Sequence, residues 1–403
     1  MTTYSSDGEF EVVDPQPVAQ KRNLEDSEDE DSPSAEGSTS KPIDTNSLVV
    51  AQHYNKLQEK GLAERFNSKI FFLRNFNNWI KSMLINDYLQ RIKDSIQFGS
   101  PLRVLDMCCG KGGDLLKWQK GNITYLICTD IAELSIEQCK ARYEKITADR
   151  PPDRKSFHAE FFTCDSTRDR LRERYRFVET LSIVIVSLKT TLFSDPSVEL
   201  NLVSCQFAFH YCFESPKQAE MMLKNVSECL RVGGYFIGTI PDAYDIMKRQ
   251  RQSESDTFGN EIYQIKFYSD PNDLPIFGAK YNFHLEGVVD CPEFLVYFPA
   301  LVKLAKKYSL ELVENVRFED YFQSKIGRGR GLIEKMRAVE RYGLQCKQGL
   351  SWSNEEEYNH AKDFLMQKGS DNRRRCGTLS ASEWQAASLY QTFAFQKVKG
   401  PIE

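Results

Sequence analysis

Residues 102–114, LRVLDMCCGKGGD, constrain this chain more than any other stretch. The apolar run Leu102 to Leu105 has the length of a buried strand, and Asp106 stands where that strand ends. Gly110, Gly112 and Gly113 make a tight turn, and the LLKW behind them opens a helix. Strand, glycine turn and helix N-terminus together let an α/β fold bring its backbone up to a ligand.

Three ligands compete for such a turn. A phosphate-cradling loop needs GxxxxGK[ST], and no hydroxyl residue follows Lys111. A dinucleotide turn needs GxGxxG, and the glycine spacing differs. An adenosylmethionine turn has an acidic residue and then GxGxG, matched here by Asp106, Cys108, Gly110 and Gly112 with cysteine in the first glycine position. Asp130 closes LICTD, 24 positions after Asp106, where a second-strand carboxylate holds ribose hydroxyls. The two signals together point to a nucleoside-binding α/β fold.

Hydrophobic residues make up 41% of the 403, enough to bury a large core. The 11 cysteines include no CxxC pair and no metal-type Cys/His spacing, which predicts reduced thiols and argues against a zinc site. No apolar signal segment or membrane-length run is seen. Residues 1–50 hold 12 acidic and 3 basic groups, whereas the remainder carries a net +5. A mildly basic body behind an acidic tail fits a polyanionic partner or an ordinary solvated surface.

Residues 1–45 lack apolar periodicity and read as a disordered acidic tail, with 46–403 as one catalytic-sized domain. The acidic run around Ser27 suits a phosphorylation site or a solubilising tail. Lys21-Arg22 is too short for a nuclear signal. One or two amphipathic helices are expected before the first strand, with Asn75, Asn77, Asn78, Trp79 and Lys81 at a helix start, where asparagines cap or bind.

Strands are expected at 102–106, 124–130, 159–165 (with Asp165 at its end) and 200–207, then after the glycine pair of RVGGYFIGTIPD. Strand-like runs follow at 261–268 and 279–286. LEGVVDCPEFLVYFPALVKLAKKYSLELV reads as strand, loop, helix, strand. Residues 323–375 read as an inserted helical lobe, and ASEWQAASLYQTFAFQKV as a final helix and strand. The apolar run at about 178–193 is surplus to this plan and is read as an atypical insert, foreign to the working chain.

Chemistry in such folds sits after the fourth strand. No Asn/Asp-Pro-Pro-aromatic motif occurs there, and Cys205 lacks the preceding proline of a covalent cytosine enzyme, so it reads as core.

The chain resembles the eukaryotic mRNA cap (guanine-N(7)) methyltransferases. The pieces are NFNNWIKS, VLDMCCGKGGDLLKW, CTDIA, CDS, SCQFAFHYCFES, GGYFIGTIPD, FGNEIY, LEGVVDCPEFLVYFP and SEWQAASLYQTFAF, in family order from about residue 50 to 397. The resemblance implies a Rossmann-like class I fold: a seven-stranded, mostly parallel sheet with a helical lobe near the C-terminus. It implies S-adenosylmethionine held by Lys81, Asp106, Cys108, Gly110, Asp114, Asp130, Asp165, Gln206 and Tyr211. It implies cap contacts from Asn77 and Asn78, and recognition or catalysis by Lys111, Lys117, His210, Glu286 and Tyr390. It also implies 5′-capped (GpppN) pre-mRNA as substrate, a nuclear address, a monomeric catalytic chain, a small activating subunit and association with the transcription machinery.

The chemistery suits those residues. Guanine N7 already carries a free lone pair and the sulfonium methyl is already activated, so neither a general base nor a metal is required. What remains is alignment, worth about 7–11 kcal/mol. Each residue also has a plainer role: Asp114 as helix cap, His210 and Tyr390 as core, Glu286 as surface acid, Lys117 as exposed helix lysine. Cys108 and the insert keep open a second reading, a non-catalytic RNA- or polymerase-associated scaffold.

Overall fold

The computed structural model describes residues 11–12, 46–56, 68–149, 157–173, 199–253, 255–343, 354–367 and 375–400. The 178–193 run and nearly all of the 1–45 tail lie outside these residues. Inside the tail, β1 (Glu11–Val12) pairs in parallel with a C-terminal strand.

The chain enters through α1 (Asn46–Lys56) and the long α2 (Phe71–Ser95). Phe72, Leu73, Phe76, Trp79, Ile80 and Met83 recur at helical spacing along α2 and are buried. The asparagines expected at a helix start lie inside α2 instead. Ile70 occupies the N-cap without a side-chain bond. Asn75 Nδ2 donates to Arg337 O at 3.1 Å, and Asn78 Nδ2 to Arg74 O at 3.1 Å.

The nucleoside-fold core follows in order: β2 (Arg103–Met107), α3 (Leu115–Lys120), β3 (Tyr125–Asp130), α4 (Glu133–Ala148), β4 (His158–Thr163), β5 (Leu200–Gln206), α5 (Pro216–Cys229) and β6 (Leu230–Pro241). β2, β3 and β5 are buried almost throughout, as strands covered on both faces must be. Helix α6 (Ala243–Ser253) leads to an antiparallel sheet of β7 (Thr257–Gly259), β8 (Tyr263–Phe267), β9 (Lys280–Leu285) and β10 (Val289–Phe294). Then come α7 (Phe298–Lys307), β11 (Leu310–Arg317), α8 (Phe318–Met336), β12 (Glu340–Gly343), α9 (Asn359–Gln367), β13 (Arg375–Thr378), α10 (Ala381–Ala387) and β14 (Tyr390–Lys397).

The main sheet has seven strands in the order β11-β14-β6-β5-β2-β3-β4, and β14 alone runs against the rest. The chain moves outward from β2 to β4 and then crosses back to β5. That reversal opens a crevice at the carboxyl ends of β2 and β5, where α/β sheets bind ligands.

Two expectations change. The stretch around VVDCPEF is the strand β10, not a loop; it is the edge of its sheet, where Pro292 loses no ladder bond. The lobe is not purely helical. It holds α8 and α9 but also β12 and β13, which pair antiparallel and with β1 make a three-stranded sheet.

The lobe is fastened to α2. Trp79, Phe76, Phe322 and Trp384 form an aromatic cluster, and Trp79 Nε1 donates to Gly329 O at 3.1 Å. Gly329 must be glycine, because a Cβ there would stand 2.5 Å from the Trp79 ring. Asp87 on α2 pairs with Lys325 at 3.0 Å and with Arg328, both on α8. The face that lines the crevice is thus held from behind.

Candidate active site

Two cavities meet above the carboxyl ends of β2, β3 and β5. The larger, about 540 Å³, is lined by Lys81, Asp106, Cys108, Gly110, Lys111, Asp114, Asp130, Asp165, Gln206 and Tyr211. The smaller, about 220 Å³, is lined by Asn77, Asn78, His210, Glu293 and Tyr390 together with Leu73 and Phe283. Tyr54, Arg74, Asn78, Lys81, Phe207 and Val288 belong to both.

The larger cavity is rich in acceptors, with Asp106, Asp114, Asp130 and Asp165 set among the cations Arg74, Lys81, Lys111 and Arg142. Asp130 ends β3; its Oδ2 accepts from Gly110 N at 2.8 Å and its Oδ1 from Ala132 N at 2.9 Å. Burial raises its pKa to about 6 despite those bonds. Asp106, on β2, accepts from Trp118 Nε1 at 2.9 Å, and burial beside Asp114 pushes its pKa well up. Asp165 lies two residues past the end of β4, in a loop tightened by the Thr167 hydroxyl at 2.6 Å. Gln206 Oε1 is buried without a hydrogen-bond partner among the described residues, while its Nε2 donates to Ser204 at 3.0 Å.

Asp114 makes no cap bond to α3. Its carboxylate instead stands 2.9 Å from Lys81 Nζ and 2.6 Å from Lys117 Nζ. Burial alone would raise its pKa, but the two ammonium groups outweigh it and hold the carboxyl well below the usual range. Lys117 also reaches Asn78 Oδ1 at 3.2 Å, and burial depresses its own pKa. It lines neither of the two adjoining cavities; it borders a third space behind them, about 590 Å³. Lys111 borders the larger cavity only.

The smaller cavity carries the main correction. Glu286 sits exposed on the β9–β10 turn and lines neither cavity. The acid at the cavity is Glu293, on β10, only 3% exposed. Val289, Cys291 and Glu293 alternate inward along the strand, so Glu293 continues a buried row. Tyr281, its cross-strand partner, donates to Oε2 at 2.9 Å. Tyr211 approaches Oε1 at 3.4 Å, and His210 Nε2 lies 3.3 Å from the same oxygen. Tyr390 is buried and meets Phe207 edge-on at 4.9 Å. Asn77 Oδ1 is buried without a partner among the described residues.

Besides Glu293, wall residues unread in the sequence include Tyr54 and Phe207. Tyr54, on α1, has its hydroxyl 3.3 Å from that of Tyr211. Phe207 takes the left-handed conformation at φ 58°, rare for a bulky side chain, and is fixed by Thr239 Oγ1 at 2.9 Å. Such strain is held where the surroundings over-determine it.

Cys108 is strained in the same way, at φ 55°. The turn therefore asks for glycine there, and a side chain in this region costs about 1–2 kcal/mol. Cys108→Gly is expected to be more stable than Cys108→Ala by about 1 kcal/mol in denaturant unfolding, since both lose the sulfur but only alanine keeps the strain. Equal stabilities would contradict this account of the turn.

A family model described as mRNA (guanine-N(7))-methyltransferase domain matches residues 38–398. The mRNA cap guanine-N(7) methyltransferase of Drosophila melanogaster is 53% identical over 88% of this chain and 78% of its own. That of Caenorhabditis elegans is 39% identical over 89% and 88%. The mRNA cap guanine-N(7) methyltransferase 1 of Oryza sativa subsp. japonica is 36% identical over 86% and 80%. With a matched region spanning both cavities and the strands that carry them, the chain belongs to the mRNA cap guanine-N(7) methyltransferase family, enzymes that draw their methyl group from S-adenosylmethionine.

Proposed function

We propose that the larger cavity holds S-adenosylmethionine, that the smaller holds the terminal guanine of a 5′ GpppN cap, and that the chain methylates that guanine at N7. The observation that carries this reading is that two cavities of different chemistry share a wall at Lys81 and Phe207. The cofactor's adenine amino group, ribose diol and ammonium are all donors. They suit Asp165, Asp130, Asp106 and the unpartnered Gln206 Oε1. When bound, S-adenosylmethionine supplies an activated sulfonium methyl.

The protein's own work is then positional. Glu293 accepts from the amino and ring N–H edge of the guanine, which turns N7 away from it toward the larger cavity. Its buried carboxylate also favours the positive charge that grows on the purine as N7 is alkylated. Asn77 supplies a further acceptor. His210 lies beside Glu293 with neither ring nitrogen hydrogen-bonded among the described residues, and Phe207 and Tyr390 wall the ring and exclude water. Lys117 is a positioning residue: it acts through Asp114 and Asn78. Lys81 and Lys111 face the negative groups of either ligand. A nuclear address, capped pre-mRNA as the natural substrate, a monomeric catalytic chain, a small activating subunit and contact with the transcription machinery rest on the family resemblance and belong to this proposal. Among the described residues no helix is long and apolar enough to cross a membrane.

The test is methylation of GpppA-capped RNA with methyl-labelled cofactor, followed by nuclease digestion to locate the label. All label on guanine N7 is expected. Label on a ribose oxygen or an internal base would overturn the reading.

Asp130 gives the reaction a pH dependence. Ribose hydroxyls donate to the ionised carboxylate, whose pKa burial has raised to about 6. Cofactor affinity is therefore expected to strengthen as pH rises through 6, by up to tenfold per unit below it. The sign for stability is opposite in the ligand-free chain. The folded pKa lies above the ordinary carboxylate value, so folding takes up a proton and stability falls as pH rises from about 4 through 6. Calorimetric titration between pH 5 and 7.5 reads the first effect, and Asp130→Asn should flatten it. An unchanged profile in that variant would assign the dependence elsewhere.

A further inference from the structure

Beneath the glycine turn three thiols converge. Cys109 follows β2 in the turn, Cys128 lies on β3 and Cys139 on α4, and their sulfurs all lie within 4.8 Å of one another. With sulfur–ion bonds of about 2.3 Å, three sulfurs round one ion stand roughly 4 Å apart, so the spacing suits a shared ion. Among the described residues no further Cys, His, Asp or Glu joins the group. Cys128 and Cys139 are fully buried, whereas Cys109 is half-buried and lines the larger cavity. Access is therefore through that cavity.

Charge selects the ion. Zinc in a closed site takes four ligands and finds three here. Three thiolates leave a charge of −2 on a monovalent ion, −1 on a divalent ion and none on a trivalent one. An uncompensated buried charge is costly, and around Cys139 the three carboxylates Asp106, Asp114 and Asp130 outnumber the one guanidinium, Arg142, that acts on it. The neutral adduct is the one this site favours.

We propose that Cys109, Cys128 and Cys139 form a binding site for a trivalent thiophilic ion of the arsenic(III) class, and that its occupation excludes the cofactor. Arsenous acid brings three hydroxyls. Each thiol passes its proton to one departing hydroxyl, three As–O bonds break, three As–S bonds form and three waters leave, with no change of oxidation state. Exclusion follows from packing. Cys139 Sγ sits directly under Gly112, where even a Cβ would stand 2.8 Å away. An ion between these sulfurs presses on the turn that carries Gly110 and, through its bond to Asp130, on the cavity wall. This second part rests on the larger cavity being the cofactor site.

The experiment uses the reduced full-length chain and sodium arsenite. Native mass spectrometry should show one arsenic gained and three hydrogens lost per chain, and X-ray absorption should show a shell of three sulfurs. Cys139→Ser should lose the three-sulfur adduct. In calorimetry, arsenite should weaken S-adenosylmethionine binding at least tenfold. No adduct, or a shell of two sulfurs on the native chain, overturns the site without any variant having to fold. A three-sulfur adduct that leaves cofactor affinity unchanged overturns the exclusion. Cofactor that fails to bind even without arsenite overturns the cavity assignment and leaves the thiol site standing.

Discussion

Glu293→Gln is expected to lower kcat/KM for cap methylation by roughly 10²–10³-fold while leaving cofactor affinity within about twofold. The loss is that of one preorganised electrostatic contact aimed at developing charge. The amide keeps the shape of the side chain and its place opposite Tyr281, so Tyr281 retains an acceptor. Glutamine cannot accept at both oxygens from the guanine edge, and it carries no charge to balance the alkylated purine. Glu286→Gln, on the exposed turn, should leave the rate unchanged. The pair forms an internal control: steady-state kinetics showing the opposite pattern would return the role to Glu286 and remove the smaller cavity from the mechanism.

Asp114→Ala should destabilise the fold by about 3–5 kcal/mol. Its carboxylate is the counter-charge to both Lys81 and Lys117, whose side chains are 14% and 11% exposed. Truncation leaves two largely dehydrated ammonium groups facing each other without that counter-charge, while Lys117 keeps the neutral acceptors Asn78 Oδ1 and Gly113 O. Screening by salt is weak at that depth, so the loss should change little between low and moderate ionic strength. Urea unfolding with an unchanged slope reads it. A loss under about 1 kcal/mol would mean that Lys81 rehydrates into the two adjoining cavities and Lys117 into the third space. A carboxyl held below its ordinary value of about 4 contributes fully above that value; the contribution falls as pH drops below it and is gone once pH has passed the depressed folded value.

Sequence legibility followed the range of the forces involved. The strand–turn–helix at 102–114 is local, and its residues line the larger cavity as expected. Asp130 was legible because a strand's end is marked by its own apolar run. Glu293 was not, because Pro292 breaks the look of a strand, and only the edge position of β10 makes that proline harmless. With the strand unread, its inward row was lost, and the acid before the glycine turn was chosen over the acid inside the sheet. β12 and β13 were missed for a similar reason. Each is four residues long, and β13 gains partners from segments distant in sequence. Asn77 and Asn78 line the smaller cavity, but the asparagines on α2 were not legible as helix-interior residues, since burial of the helix against the lobe overrides their weak helix preference.

The most direct measurement is a crystal structure of the chain with a methyl-donor analogue and GpppA. The guanine is expected in the smaller cavity, with its amino edge on Glu293 and its N7 facing the analogue across the shared wall at Phe207. A guanine bound at the Glu286 turn, or in the third space beside Lys117, would contradict it.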